Sequence, residues 1–205
     1  MRTGVSGNWK RVSLPVLAVA LVALTVAAPA RSEAASADCF LKIEGVAGDS
    51  ANSRHKDEID VLTWGFGESQ SVSAVRTGAT TATAGRVQMQ DLRFTARMGK
   101  QSPRLFQECA MGRHLRQATL TCQKMAPGPF DFLRIRIEDV IVTGYQTGTP
   151  ASTGSPAQPG LDTYPVDQVS LGFAKIRVEF QAQKPDGTGA GWIPGGWDLM
   201  MNKAF

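Results

Sequence analysis

Apolar and polar residues alternate with a period of two over much of the chain, most clearly in residues 55–73, HKDEIDVLTWGFGESQSVS. From Glu58 on, Glu58, Asp60, Leu62, Trp64 and Phe66 share one parity and Ile59, Val61, Thr63 and Gly65 the other, which predicts a β-strand. Its start is charged and its middle apolar on both parities. A strand of this kind begins at a rim and is then covered on both faces. Residues 39–46 predict a first strand, with Cys39, Leu41 and Ile43 set against Phe40, Lys42 and Glu44. In residues 130–142, Leu133, Ile135 and Ile137 alternate with Arg134, Arg136 and Glu138, the pattern of a half-buried strand. Val169, Leu171 and Phe173 hold one parity and Ile176, Val178 and Phe180 the other. The strand therefore bulges near Ala174 and Lys175 or passes from one buried surface to another. A similar switch falls between Met89 and Leu92.

One helix is signalled. Ser102 suits the N-cap, Pro103 the first helical position and Gly112 the stop, placing Leu105, Phe106 and Cys109 on one apolar face. At about nine residues such a helix depends on packing against the sheet. Long strands that change face suit a closed or strongly curved sheet, so the predicted fold is mainly β: an antiparallel β-barrel flanked by one short α-helix. Residues 47–56 and 147–165 are predicted loops, the second the longest structureless segment and exposed. Residues 76–85, RTGATTATAG, are a small-residue loop, either a flexible hairpin tip or a surface ordered by a neighbour.

Composition changes the picture at the N-terminus. Arg2, Lys10 and Arg11 precede an almost wholly aliphatic run over residues 12–28, and two small-x-small sites follow, Ala28-Pro29-Ala30 and Ala35-Ser36-Ala37. This predicts a secretory signal peptide over residues 1–37 and a mature domain over 38–205 in the periplasm or outside the cell. The competing reading is a membrane anchor, for which a run of about seventeen residues is at the short limit. Asp38 before Cys39 opposes a lipoprotein anchor. The whole chain carries a formal charge of +4; without residues 1–37 it has 18 Lys and Arg against 17 Asp and Glu, a net of +1. That balance points to no nucleic-acid partner, and leader removal leaves no membrane segment.

Three cysteines remain, Cys39, Cys109 and Cys122. Export favours one disulfide and one spare thiol, with three pairings possible; the alternative is three buried thiols. Cys109–Cys122 is the expected bridge, since the helix carrying one leads through a short turn into the strand carrying the other. Catalytic patterns are weak. His55 and His114 sit in polar turns without an orienting partner, predicting solvated surface roles. Gly67-Glu68-Ser69-Gln70-Ser71 lacks the last glycine of a nucleophile elbow, and residues 187–191, GTGAG, lack a phosphate-binding lysine and read as a turn. Asp57, Glu58 and Asp60 read as a solvated rim or an intersubunit salt-bridge site. No cofactor or metal set is indicated.

Residues 55–73, with 87–95 (VQMQDLRFT), 100–105 (KQSPRL), 112–114 (GRH) and 171–176 (LGFAKI), resemble in order the Hcp family, the haemolysin-coregulated proteins that form the inner tube of type VI secretion systems. The resemblance runs from about Cys39 to the C-terminus. It implies a non-enzymatic β-barrel subunit, hexameric rings stacked into a tube, and a spike protein and secreted effectors as partners. It also implies that the loop after the first strand, residues 47–56, reaches a neighbouring ring. His55, Lys56, Asp57 and Glu58 are therefore candidate inter-subunit or stacking contacts. The leader departs from the family pattern. It keeps open a second reading, an exported Hcp-like binding or cell-envelope module outside any contractile apparatus.

Overall fold

A computed structural model describes residues 37–72, 84–124, 128–149 and 164–205. The predicted leader, apart from Ala37, lies outside the described residues, as do most of the 76–85 and 147–165 loops. The elements are β1 (Ala37–Ile43), β2 (Ile59–Gly65), β3 (Glu68–Val72), β4 (Ala84–Met89), β5 (Leu92–Arg97), α1 (Gln101–Met111), β6 (His114–Lys124), β7 (Phe130–Gly148), β8 (Val166–Gly172), β9 (Lys175–Gln183), β10 (Gly189–Asp198) and β11 (Lys203–Ala204). Strands β7, β6, β1, β2, β5 and β8 pair in that order, and β8 pairs with β7 again. The result is a closed six-stranded antiparallel barrel with one helix against it, which leaves those strands no free edge.

The interior follows the alternation. Leu41 and Ile43 of β1, Ile135 and Ile137 of β7, and Leu92 and Phe94 of β5 point inward with almost no exposure, and Leu105 of α1 joins them. In β2 a register shift against β5 between Val61 and Thr63 resets the parity. Ile59 and Val61 face inward before it, and Trp64 and Phe66 after it. The predicted division, with Trp64 and Phe66 opposite Val61, is corrected by that bulge.

Both predicted parity switches are places where one strand ends and the chain takes up new partners. The 19-residue β7 pairs along one edge with β9 over Leu133 to Glu138 and with β8 over Ile141 to Gly148. The chain passes from β8 to β9 at Phe173 and Ala174, where the Ala174 amide donates to the Glu138 carbonyl at 3.0 Å. β9, β10 and β11 thus continue the sheet beyond the barrel. The switch near Met89 separates β4, which pairs with β3 in a second sheet, from barrel strand β5. Residues 184–188 close the β9–β10 hairpin, with Lys184 N–H donating to Thr188 O at 2.8 Å and Gly187 at φ +83°; the turn expected over 187–191 is thus shorter, since Gly189 onward belongs to β10.

α1 begins at Gln101 and not after Ser102. Ser102 lies buried in the first turn, where its hydroxyl accepts from Gly99 N–H at 2.9 Å and donates to the Asp167 carboxylate, so it joins the helix to β8 rather than capping it. Gly112 ends the helix at φ +60°, its N–H shared between the Glu108 and Cys109 carbonyls. The buried face is Gln101, Ser102, Leu105 and Glu108, at helical spacing. Phe106, one position further round, is 59% exposed, its ring steeply inclined to that of Tyr145 with centroids 6.1 Å apart, against the expectation that it faces the core.

The expected Cys109–Cys122 bridge is also corrected. Cys39 and Cys122 are directly paired across β1 and β6 and form the disulfide, with Cα atoms 4.1 Å apart. Cys109 stays reduced on α1. The strand register places two cysteines 83 residues apart face to face, which proximity in sequence does not reveal.

Candidate assembly surface

The extension β9–β10–β11 has two unlike faces because its side chains alternate. On one, Ile137, Ile176 and Trp197 form a cross-strand row, followed by Ile135, Val178 and Gly195 and then by Leu133, Phe180 and Ile193. The rows run from closed core to open surface. Ile137 and Ile176 are buried, Val178 and Leu133 are half-buried, Phe180 is 48% exposed and Ile193 is 68% exposed. The inner wall of the barrel therefore continues outward as an apolar strip left exposed among the described residues. Such a strip is characteristic of interaction surfaces.

The opposite face is charged. Arg134 and Arg177 pair with Glu179, at 3.5 Å and 3.1 Å, and Arg136 stands opposite Arg177. The Arg134 guanidinium stacks on Trp192 at 4.5 Å, and Lys175 meets Asp198 at 3.5 Å. Hydrogen bonds from the Met201 and Met200 amides, together with the Lys175 ammonium, hold the Asp198 carboxyl below its ordinary range. Met200, Met201 and Phe205 leave further apolar surface exposed beside β11.

The four residues proposed from resemblance as stacking contacts separate into two pairs. The 47–56 loop folds over the outside of its own barrel. Gly48 N–H donates to Asp57 O at 2.8 Å, and a β-carbon on Gly48 would come within 2.2 Å of the Glu58 carbonyl oxygen, so only glycine fits. His55 is 6% exposed, its ring stacked on Phe40 at 4.4 Å and its Nδ1 2.9 Å from Glu58 Oε2. This corrects the solvated role predicted for His55, and Glu58 is occupied with it. Lys56 and Asp57 are exposed at the turn, with Asp57 in the left-handed region at φ +59°. β3 and β4 form a separate two-stranded ribbon outside the barrel sheet. His114 is exposed, as expected, and its Nδ1 lies 2.7 Å from Asp139.

Two buried carboxylates secure α1. Asp167 accepts from Ser102 and from the Tyr145 hydroxyl, the latter at 2.9 Å. Burial first, and the adjacent Asp167 second, push the Tyr145 phenol above its ordinary range. Glu108, fully buried, receives Arg104 Nε at 2.9 Å and Arg113 Nε at 2.9 Å. Both carboxylates thus bond partners that fix the helix to the sheet and to the turn that follows it. Phe180 and Ile193 escaped the sequence reading: Phe180 merely continues an alternating run, and Ile193 lies between Trp192 and Pro194 in a glycine-rich stretch without clear period.

Comparison with known proteins follows the same barrel. The family model described as "Type VI secretion system effector, Hcp" matches residues 40–180. Protein hcp1 of Pseudomonas aeruginosa is 37% identical over 167 residues, covering 80% of this chain and 96% of that relative. The crystal structure of Hcp1 from Salmonella typhimurium is similar at a TM-score of 0.64 and 29% identity, over 83% of this chain and 99% of that one. A structure described as a type six secretion system protein is similar at a TM-score of 0.73 and 26% identity, over 83% of this chain and 100% of that one.

Proposed function

The chain belongs to the Hcp family of type VI secretion proteins, and from that we propose that it is a non-enzymatic structural subunit whose copies close into a ring, by family resemblance a hexamer, with rings stacking into a tube. One observation carries the reading: the barrel's inner face continues onto β9 and β10 and ends exposed at Phe180 and Ile193. A second copy covers such a face at low cost, and a heterologous contact that closes on itself gives a ring. A spike protein and secreted effectors are the further partners this reading implies.

The same proposal has residues 1–37 removed as a leader and residues 38–205 exported, to the periplasm or beyond. The Cys39–Cys122 disulfide supports this, because such bonds persist in oxidising compartments. Lys56 and Asp57 remain as exposed candidates for contact between rings. The ring reading is preferred to a free-standing exported binding module because the likeness spans almost the whole of the Pseudomonas relative.

Light scattering on residues 38–205 tests it. The expected result is a closed particle of about six subunit masses with no catalytic activity. A monodisperse monomer at high concentration overturns the ring.

A further inference from the structure

We propose that the apolar strip on β9 and β10 docks against the outer face of α1 on the next copy of the chain, so that each subunit carries both halves of one contact. The inference rests on the ring reading and names the two surfaces that close it. Among the described residues, the large apolar side chains left exposed gather at two places. One is the β9–β11 plate, with Phe180 and Ile193 on the strip and further apolar surface beside β11. The other is α1 and its approach, where Phe106, Met111 and Met98 are bare and the exposed Tyr164 donates its hydroxyl to the Met98 carbonyl at 3.4 Å.

A surface helix ordinarily turns charged side chains to water. α1 departs from this. Its most outward positions are Pro103, Phe106, Gln107, Ala110 and Met111, and none of them carries a charge. Arg104 is drawn back onto the buried Glu108 at 2.9 Å, where Arg113 joins it. The bare face is also firmly mounted, because Ser102 and Leu105 are buried on the opposite side and Ser102 bonds Asp167 on β8. An uncharged helix face on a fixed base is suited to be covered by another apolar surface.

Within one copy both faces stay exposed, so neither covers the other. A ring that closes by heterologous contacts requires two unlike patches on every subunit, one to give and one to receive. The dimensions agree. The row Leu133, Phe180 and Ile193 crosses three strands, about 10 Å, which is close to the width of one helix, about 10–12 Å. The contact is made by the face of the plate because its edge is poorly suited to add a strand. β11 pairs with β10 at Trp197 and Asp198. Phe205 N–H donates to the Gly196 carbonyl at 3.3 Å, so Gly196 turns its polar groups to the free side; Pro194, two residues earlier, turns the same way and has no N–H to offer.

Light scattering on residues 38–205 and two variants tests this. Phe106→Asp keeps the strip and loses the acceptor, while Ile193→Asp keeps the acceptor and loses the strip. Both changes fall at exposed positions, and circular dichroism checks that each subunit folds. Each variant alone is expected to be a monomer and an equal mixture a dimer, since one live contact forms between unlike variants and both outer faces of the pair are dead. A full-sized ring from Phe106→Asp, beside a wild-type ring, overturns the inference and leaves the ring reading standing. Dimers of Phe106→Asp by itself mean that strip meets strip, and they overturn it too. A wild-type monomer overturns both readings. Thiol cross-linking reads the same contact without adding charge: in a Cys109→Ser background, Ile193→Cys with Ala110→Cys is expected to give a ladder of linked subunits, and either change alone none. An intact ring without the ladder overturns the contact.

Discussion

Cys39 stands directly across from Cys122 on neighbouring barrel strands, and the bond between them ties the first described strand to β6. Closing a loop of 83 residues is worth roughly 4–5 kcal/mol in the chain-entropy account. Replacing both cysteines by alanine is expected to lower the melting temperature clearly, whereas Cys109→Ser leaves it nearly unchanged. Non-reducing peptide mapping should find Cys39 and Cys122 in one fragment and Cys109 free to alkylate; Cys109 in a bridge contradicts the assignment.

Ile193→Asp separates folding from assembly. The side chain is mostly exposed, so its loss is expected to alter subunit stability by about 0.5 kcal/mol or less. A charge at the centre of an apolar contact should nevertheless disperse the ring, as should Phe180→Asp. Ile137→Asp, at a fully buried position, is expected to abolish folding. Circular dichroism with light scattering distinguishes the outcomes, and an intact particle from both Ile193→Asp and Phe180→Asp moves the interface elsewhere.

Glu108 tests how far a buried acid is supported by half-exposed bases. Arg104 and Arg113 are 42% and 49% exposed and can return to water when the acid is removed. Glu108→Ala is therefore expected to cost about 2 kcal/mol, less than the loss of one partner from a fully buried pair. Arg104→Ala or Arg113→Ala alone should cost under about 1 kcal/mol. Urea melts check the ranking, and an arginine variant as damaging as Glu108→Ala refutes it.

Tyr145 gives an alkaline prediction. Burial, reinforced by Asp167, raises its phenol above the ordinary 10.0, so the folded protein keeps the proton while the unfolded chain loses it. The associated stability is complete below pH 10.0 and is lost as pH rises beyond it. Tyr145→Phe should cost about 1 kcal/mol near neutrality and flatten the alkaline decline. Denaturant melts from about pH 9 to 11 read both effects, and an unchanged slope in the variant excludes Tyr145 as the source.

The barrel was legible where burial on one face imposed a strict period, as at Leu41 and Ile43 or Ile135 and Ile137. The Ala174 switch showed that the chain changes surroundings, but not that β7 would pair with both β8 and β9, because long-range partners leave no local mark. Register hid the disulfide for the same reason. A single inserted residue near Leu62 exchanged the faces of β2, and propensity does not report such bulges. His55 looked like a surface histidine because its loop is polar. What buries it is Phe40, an apolar residue on the outward parity of β1. The assembly strip escaped notice because exposure of Ile193 depends on the absence of a covering element, which a residue pattern cannot express.

The shared course of β7 has a mechanical consequence. The strand lies in the barrel wall and also carries β9 on its outer edge, and it keeps one register with β6 through Asp139, whose φ of +54° marks the change of partner from β9 to β8. Force on the protruding β9–β10 plate travels as shear through ladder hydrogen bonds into the wall, where many bonds share the load at once. A subunit gripped by its plate should behave as a stiff stave.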